Sequence, residues 1–412
     1  MSVMPLAVLG AVIALIAVRQ VGNVRLQIWQ VMAVGAAAMV LTGAITPAAA
    51  LRAVDADVLL FLFGMFALGR ALEESGLLAD LTYRAVRRAG SADALLAVFL
   101  LAVGIASAGL MNDTLAVVGT PVAIHLARSH GMPPRLLLFA LAFAVTTGSV
   151  ASPIGNPQNL LIALHAHLAS PFGAFLGGLA LPTLAALGLV YAVLRVAFRR
   201  DFHARPLVHE PGAIVDAALA RLSAVALAVL LALIALKVAW ISAGAGEGPR
   251  LTLIALVPAA LVLIVSPRRV EIARGVDWQT LGFFASLFVV VAGVERSGAV
   301  EWVVQALGEG VAHPPVIVAA STLLSQVVSN VPLVALYLPV LEGAHAPAGA
   351  FLALAAGSTI AGNLAVLGAA SNVIVIDVAE RRYGERIGFG EFLRLGLPLT
   401  AAQLVVYAVF LR

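Results

Sequence analysis

Asn112 and Asp113 stand side by side in the stretch GLMNDTLAVVGTP (Gly109–Pro121), between two long apolar runs. An amide oxygen, a carboxylate and the hydroxyl of Thr114 in succession suit a hard cation or a proton; the plainer role is a helix cap. A second polar group, Ser329-Asn330-Val331-Pro332, interrupts another apolar run further along. Two longer stretches mix the same residue types with helix breakers. The first is TTGSVASPIGNPQN (146–159), which contains Ser149, Gly155, Asn156 and Asn159; the second is GSTIAGNLAVLGAASN (357–372), which contains Asn363, Gly368 and Asn372. Pro153 and Pro157 remove backbone donors and the glycines relax the chain, so helices break there and leave carbonyl and N–H groups without helical partners.

The surroundings of these groups are strongly apolar. Of 412 residues, 62% are hydrophobic and 11% charged, and the mean hydropathy of +1.05 lies far outside the range of soluble domains. The chain reads as an all-α integral membrane protein. Apolar runs place spans at 4–18, 28–47, 57–74, 134–166, 171–196, 219–243, 250–266, 279–295, 350–378 and 392–411, with two further segments at 93–128 and 313–346. With no cysteine, disulfides and thiolate metal sites are excluded. The first run lacks a preceding positive charge and a small-residue cleavage site, so it reads as a span rather than a signal peptide. A pI near 9.9 comes from arginines spread over loops, which fits membrane topology and not nucleic acid.

The arginines set the orientation. With the N-terminus outside, twenty gather on one side, from Arg19 and Arg25 through Arg199 and Arg200 to Arg394, while Arg52, Arg250, Arg296 and Arg412 fall on the other. Both termini are therefore expected outside, in the plasma membrane or, in a bacterium, the inner membrane. Arg88 and Arg128 then share the cytoplasmic side. The uncharged arms between them, 94–111 and 114–127, are about 27 and 21 Å of helix, so the chain is expected to enter and return as a re-entrant hairpin tipped by Asn112-Asp113-Thr114. The arms 315–329 and 332–341 are shorter still and predict a second hairpin, tipped by Ser329 and Asn330.

The chain also repeats itself. FGMFALGRALEESGLL (63–78) matches ASLFVVVAGVERSGAV (285–300), Asn112 matches Asn330, and GSVASPIGNPQNLLI (148–162) matches AGNLAVLGAASNVIV (361–375), which pairs Gly155 with Gly368 and Asn159 with Asn372. Each half contains an odd number of crossings, so the reading is two inverted repeats, 1–198 and 216–412, joined by a polar cytoplasmic linker at 199–215. Each repeat brings one hairpin tip and one broken span to mid-membrane. Asp113 has no repeat counterpart, since Val331 stands there, and an unpaired carboxylate at that depth is costly. Asp113 is the expected proton- or cation-coupling group. Lys237, Glu73, Glu295 and Arg70 read as structural or interfacial charges, and His165 and His167 as outer-loop residues with no acidic partner. The eight histidines lie away from the expected centre and Asp113 has no carboxylate partner there, so no enzyme constellation is apparent; no Walker-type phosphate loop appears either.

NDT at the first tip, GNPQNLLI, SNVPLVALYLPVL and GNLAVLGAASNVIV together resemble the citrate-transporter-like and arsenite-permease group of the ion transporter superfamily. The resemblance implies a scaffold of spans 1–3 and 6–8. It also implies a transport domain, made of the hairpins with spans 4, 5, 9 and 10, that moves as an elevator within a homodimer. It implies a cation site of Asn112, Ser149 and carbonyls near Gly155, mirrored by Asn330 with Gly368 to Asn372. The substrate would touch Thr114, Asn156, Asn159, Ser329, Asn363 and Asn372. Dicarboxylate-binding members carry Ser-Asn-Thr at both tips, whereas this chain lacks the first serine and the second threonine. The expectation is a secondary transporter of a small anion or oxyacid, without a cofactor and coupled to protons or sodium; arsenite-type efflux, dicarboxylate or sulfate uptake and sodium/proton exchange remain open.

Overall fold

The computed structural model describes residues 3–18, 20–21, 24–25, 27–202, 214–244, 248–298 and 312–412. Most of the expected linker at 199–215 lies outside them. The described chain is helical apart from a two-residue antiparallel pair, Gln20–Val21 with Val24–Arg25. Among the described residues, six helices are long and apolar enough to cross a membrane, including α10 (Pro171–Ala197), α11 (Ala217–Ser242), α14 (Trp278–Glu295) and α19 (Phe389–Phe410).

The first hairpin is formed by α6 (Ala92–Gly109) and α7 (Asn112–Ser129), joined by extended Leu110 and Met111. The second joins α15 (Pro314–Val328) to α16 (Asn330–Gly343) through Ser329 alone. α7 and α16 are longer than their apolar cores suggest, because polar residues fill their terminal turns: Asn112 and Asp113 open α7 and Arg128 closes it. Pro332 fits the first turn of α16, where its missing N–H has no helical partner anyway.

The broken spans break where the polar stretches are. α8 (Pro134–Gly148) runs into a 3-10 turn at Ser149–Ala151, and the helix resumes as α9 (Pro157–His165) with Pro157 at its start. In the second half α17 (Ala348–Ile360) passes through 3-10 turns at Ala361–Asn363 and Val366–Gly368 before α18 (Ala370–Tyr383). α8 and α17 are buried along nearly their whole length, so they form the centre of the block made by α6–α10 and α15–α19.

The remaining helices frame that block. α4 (Ala56–Ser75) packs on α11 and on α12 (Leu251–Val265), and α2 (Ile28–Leu41) packs on α14 and on α1 (Val3–Val18). Asp55 caps α4 by accepting the Val58 N–H at 3.0 Å. Gly76, at φ 76°, ends α4 and turns the chain directly into α5 (Leu77–Val86). That ten-residue helix was not apparent from hydropathy because its charges, Asp80 and Arg84, dilute the run. Arg70 is held by Glu73 at 2.8 Å and Glu74 at 2.5 Å. Glu74 in turn binds Arg268, which precedes the short helix α13 (Arg269–Arg274). The ammonium of Lys237 donates to Pro249 O at 2.9 Å, so this lysine ties α11 to the chain entering α12.

Candidate functional site

The first hairpin tip docks on the break between α8 and α9. The Asn112 N–H donates to Gly155 O at 3.0 Å. A β-carbon at Gly155 would stand 2.7 Å from Ser107 O on α6 and 2.8 Å from Ser149 O, so only glycine lets the arm, the turn and the tip meet. The second break is pinched in the same way. A β-carbon at Gly368 would stand 2.7 Å from Ala361 O and 3.3 Å from Gln326 Oε1, and Gln326 on α15 donates its amide to Ala361 O at 2.8 Å.

The broken spans are closed by their asparagines. Asn159 donates its amide to Ser149 O and Ser152 O, both at 3.0 Å. Asn372 donates to Gly362 O at 2.6 Å, again ten residues upstream. Asn156 caps α9 through its side-chain Oδ1, which accepts the Asn159 N–H at 2.8 Å, and its side-chain amide donates to Ser149 Oγ and Thr359 Oγ1. Thr359, on α17, donates to Asn159 Oδ1 at 3.3 Å, while Asn363 donates to Thr147 Oγ1 and Gln403 Oε1. The two breaks are thereby clasped together by side chains about 200 residues apart in sequence. Thr147, Thr359 and Gln403 were missed by sequence reasoning. The repeat offset of 213 that pairs Asn159 with Asn372 also pairs Thr146 with Thr359, and this was the signal available.

Other oxygens at the centre are buried without a hydrogen-bond partner among the described residues. They include Oδ1 of Asn112, Asn330, Asn363 and Asn372, one carboxylate oxygen of Asp113, and the hydroxyls of Ser325 and Ser371. Unpartnered buried acceptors are expensive, and carboxamide and carbonyl oxygens of this kind are the donors a hard cation takes. Of the residues expected at the two cation sites, Asn112, Asn330 and Asn372 carry such an oxygen, whereas Gly155 O already accepts the Asn112 N–H and Ser149 Oγ the Asn156 amide.

A cavity of about 300 Å³ opens against both tips. Asp113, Ser329 and Val331 form one wall together with Pro157 and Ala370, the first and second broken spans' resuming turns. Trp29 of α2 and Asp277, Gln279, Thr280 and Phe283 at the start of α14 form the other. Asp277 caps α14, accepting the Thr280 N–H at 3.0 Å and its hydroxyl at 2.6 Å. The absence of a carboxylate partner for Asp113 is thus corrected: Asp277, 164 positions away, lines the same cavity. No Lys, Arg or His lines it among the described residues. Ser329 holds φ 75° without being glycine, a strained conformation of the kind that collects at functional sites.

Of the expected substrate residues, Ser329 lines this cavity. Thr114 instead turns to α4, where a β-carbon on Gly69 would stand 2.7 Å from its side chain. The amides of Asn156, Asn159 and Asn363 are occupied in the clasp described above. His165 also departs from expectation. It closes α9 and meets the Asp55 carboxylate at 3.2 Å, beside a separate cavity of about 240 Å³ lined by Glu295 and Glu342.

Residues 12–356 match the family model described as "Citrate transporter". The chain belongs to the citrate transporter family. Two relatives and one solved structure extend the match. This citrate-transporter-family chain is 30% identical to an uncharacterized transporter of Mycobacterium tuberculosis, over 87% of its own length and 86% of the relative's. It is 28% identical to the silicon efflux transporter LSI3 of Oryza sativa subsp. japonica, over 91% and 90%. The fold resembles the Alcanivorax borkumensis YdaH transporter with a TM-score of 0.60 at 20% identity, covering 99% of this chain and 96% of that one. Like its relatives, this family member is an integral membrane transporter of small molecules and not an enzyme.

Proposed function

We propose that the chain is a secondary active transporter that moves a small oxyacid or its anion by alternating access, coupled to protons or sodium. The observation that carries this reading is the cavity at the two tips, which places Asp113 and Ser329 against Asp277 and Thr280 of α14. Two carboxylates, with no basic side chain beside them among the described residues, repel a fully ionised anion. An uncharged oxyacid needs only hydroxyl, amide and backbone partners, so a neutral acid such as arsenous or silicic acid fits the cavity better than a dicarboxylate. Relatedness to a silicon efflux transporter supports the same class. In this reading Asp113 carries the coupling proton or holds the coupling cation beside Asn112.

Two inverted repeats, 1–198 and 216–412, are supported by the paired geometry of Asn159 with Ser149 O and Asn372 with Gly362 O. The packing of α6–α10 with α15–α19 fits a transport domain that moves as an elevator against α1, α2, α3 (Pro47–Ala53), α4 and α11–α14 within a homodimer, with both termini outside. Gln27 and Asp277 line the cavity at the ends of α2 and α14 that the arginine distribution assigns to the cytoplasm, which supports a cytoplasm-facing reading of this conformation.

Proteoliposomes holding the full chain test the reading. Silicic acid, arsenite, citrate and sulfate are supplied separately under an imposed proton or sodium gradient, with Asp113→Asn beside the parent. Gradient-driven movement of a neutral oxyacid that Asp113→Asn abolishes is expected. Sodium-driven citrate or sulfate movement would replace the neutral-oxyacid assignment with dicarboxylate or sulfate uptake, and cation exchange without solute would replace it with sodium/proton antiport. An Asp113→Asn protein with unchanged coupling would make Asp113 a helix cap.

A further inference from the structure

A third cavity, of about 240 Å³, lies apart from the tips' polar face, between α5, the hairpin arms α6 and α7, and α11. Its walls are apolar. Leu78 and Leu81 come from α5, Phe99 from α6, Val118 from α7, and Leu227 and Leu231 from α11. Thr82 is the one polar side chain lining it among the described residues, and its hydroxyl is already donated to Leu78 O at 2.8 Å. A space with no polar demand does not hold water. Leu81 and Leu231 are 40% and 52% exposed, so the cavity is open to whatever surrounds the helices, and around an integral membrane protein that is lipid.

The helix that forms one wall is built to sit at the bilayer boundary. α5 turns leucines into the cavity and carries Arg84 in its last turn, followed by Arg87 and Arg88, all three exposed. Arg84 is paired with Asp80 at 2.8 Å. Arg87 and Arg88 extend the charge beyond the helix end, on the arginine-rich side. An amphipathic helix with an apolar face inward and arginines at one end matches the interfacial elements that attract anionic lipid.

We infer that this cavity is a binding site for one acyl chain of an anionic phospholipid from the arginine-rich leaflet, whose phosphate lies at Arg84, Arg87 and Arg88. The chain runs inward along α5 and ends beneath Gly109 and Leu110, directly behind the hairpin tip that carries Asn112 and Asp113. Gly109 lines the cavity and a β-carbon built on it meets nothing within 4 Å, so Gly109→Leu is the substitution that adds bulk at this wall.

Native mass spectrometry of the full chain, purified into detergent and titrated with phosphatidylglycerol or phosphatidylcholine, tests the site. The parent is expected to retain phosphatidylglycerol in preference to phosphatidylcholine. The double variant Arg87→Gln/Arg88→Gln should bind phosphatidylglycerol roughly ten- to thirtyfold more weakly, and Gly109→Leu should exclude it while leaving the arginines in place. A bromine-labelled phosphatidylglycerol that quenches the fluorescence of a Leu227→Trp variant reports chain position independently of either substitution. Equal retention of the two lipids by the parent, or phosphatidylglycerol binding unchanged in both variants, would overturn the inference. So would a Leu227→Trp signal that the brominated lipid does not quench.

Discussion

Asp55 and His165 meet at 3.2 Å, one at the start of α4 in the frame and the other at the last residue of α9 in the central block. The pair bridges two bodies of helices at the end remote from the tips' cavity. The hydrogen bond from His165 holds the Asp55 carboxyl below its ordinary range; partial burial opposes this, and the Val58 N–H at the helix cap adds to it.

Stability should therefore depend on acid pH through Asp55. A carboxyl whose folded value is depressed stabilises the fold above its unfolded value, near 3.9, and loses that contribution as the pH falls through the folded value. Asp55→Asn keeps the α4 cap but removes the charge. Melting temperatures of the two proteins should differ at neutral pH by no more than about 1 kcal/mol of stability, since the pair is partly exposed. The gap should close below about pH 4; a gap constant down to pH 3 refutes the assignment.

Asp113→Asn should keep the fold, because the tip is held by the Asn112 N–H on Gly155 O and not by the carboxylate. Gradient-driven transport should drop by about tenfold or more, while exchange of substrate without a gradient survives. Parallel flux measurements with and without an imposed gradient separate the two, and an equal loss in both would point to simple damage.

Gly155→Ala and Gly368→Ala should each lower stability by about 1–3 kcal/mol through forced overlap at the breaks, because their β-carbons meet backbone oxygens at 2.7 Å. Gly188→Ala in α10 meets nothing within 4 Å and should stay within about 1 kcal/mol of the parent. Thermal melts in one detergent compare the three directly. A Gly155→Ala protein as stable as Gly188→Ala would mean the break relaxes freely.

Asn159→Leu and Asn372→Leu should be similarly harmful, at about 1–3 kcal/mol each. Each removes the amide that serves a carbonyl ten residues upstream, Ser149 O in one half and Gly362 O in the other. A marked asymmetry in their melting temperatures would argue that only one break depends on its asparagine.

By itself the sequence determined that this chain is an all-α membrane protein, where its helices break, and which asparagines and glycines occupy those breaks. Hydropathy, proline and glycine act over a few residues, so local pattern carries them. The match of Asn112 to Asn330 and Gly155 to Gly368 was readable for the same reason, as a spacing along one chain. Tertiary structure alone decided what those residues face. Asp277 comes opposite Asp113, Asp55 opposite His165, and Thr359 between Asn156 and Asn159, through packing of helices that lie far apart in sequence. No periodicity encodes such meetings. They depend on which helix faces come together around α8 and α17, and a buried polar group takes whatever partner that packing delivers.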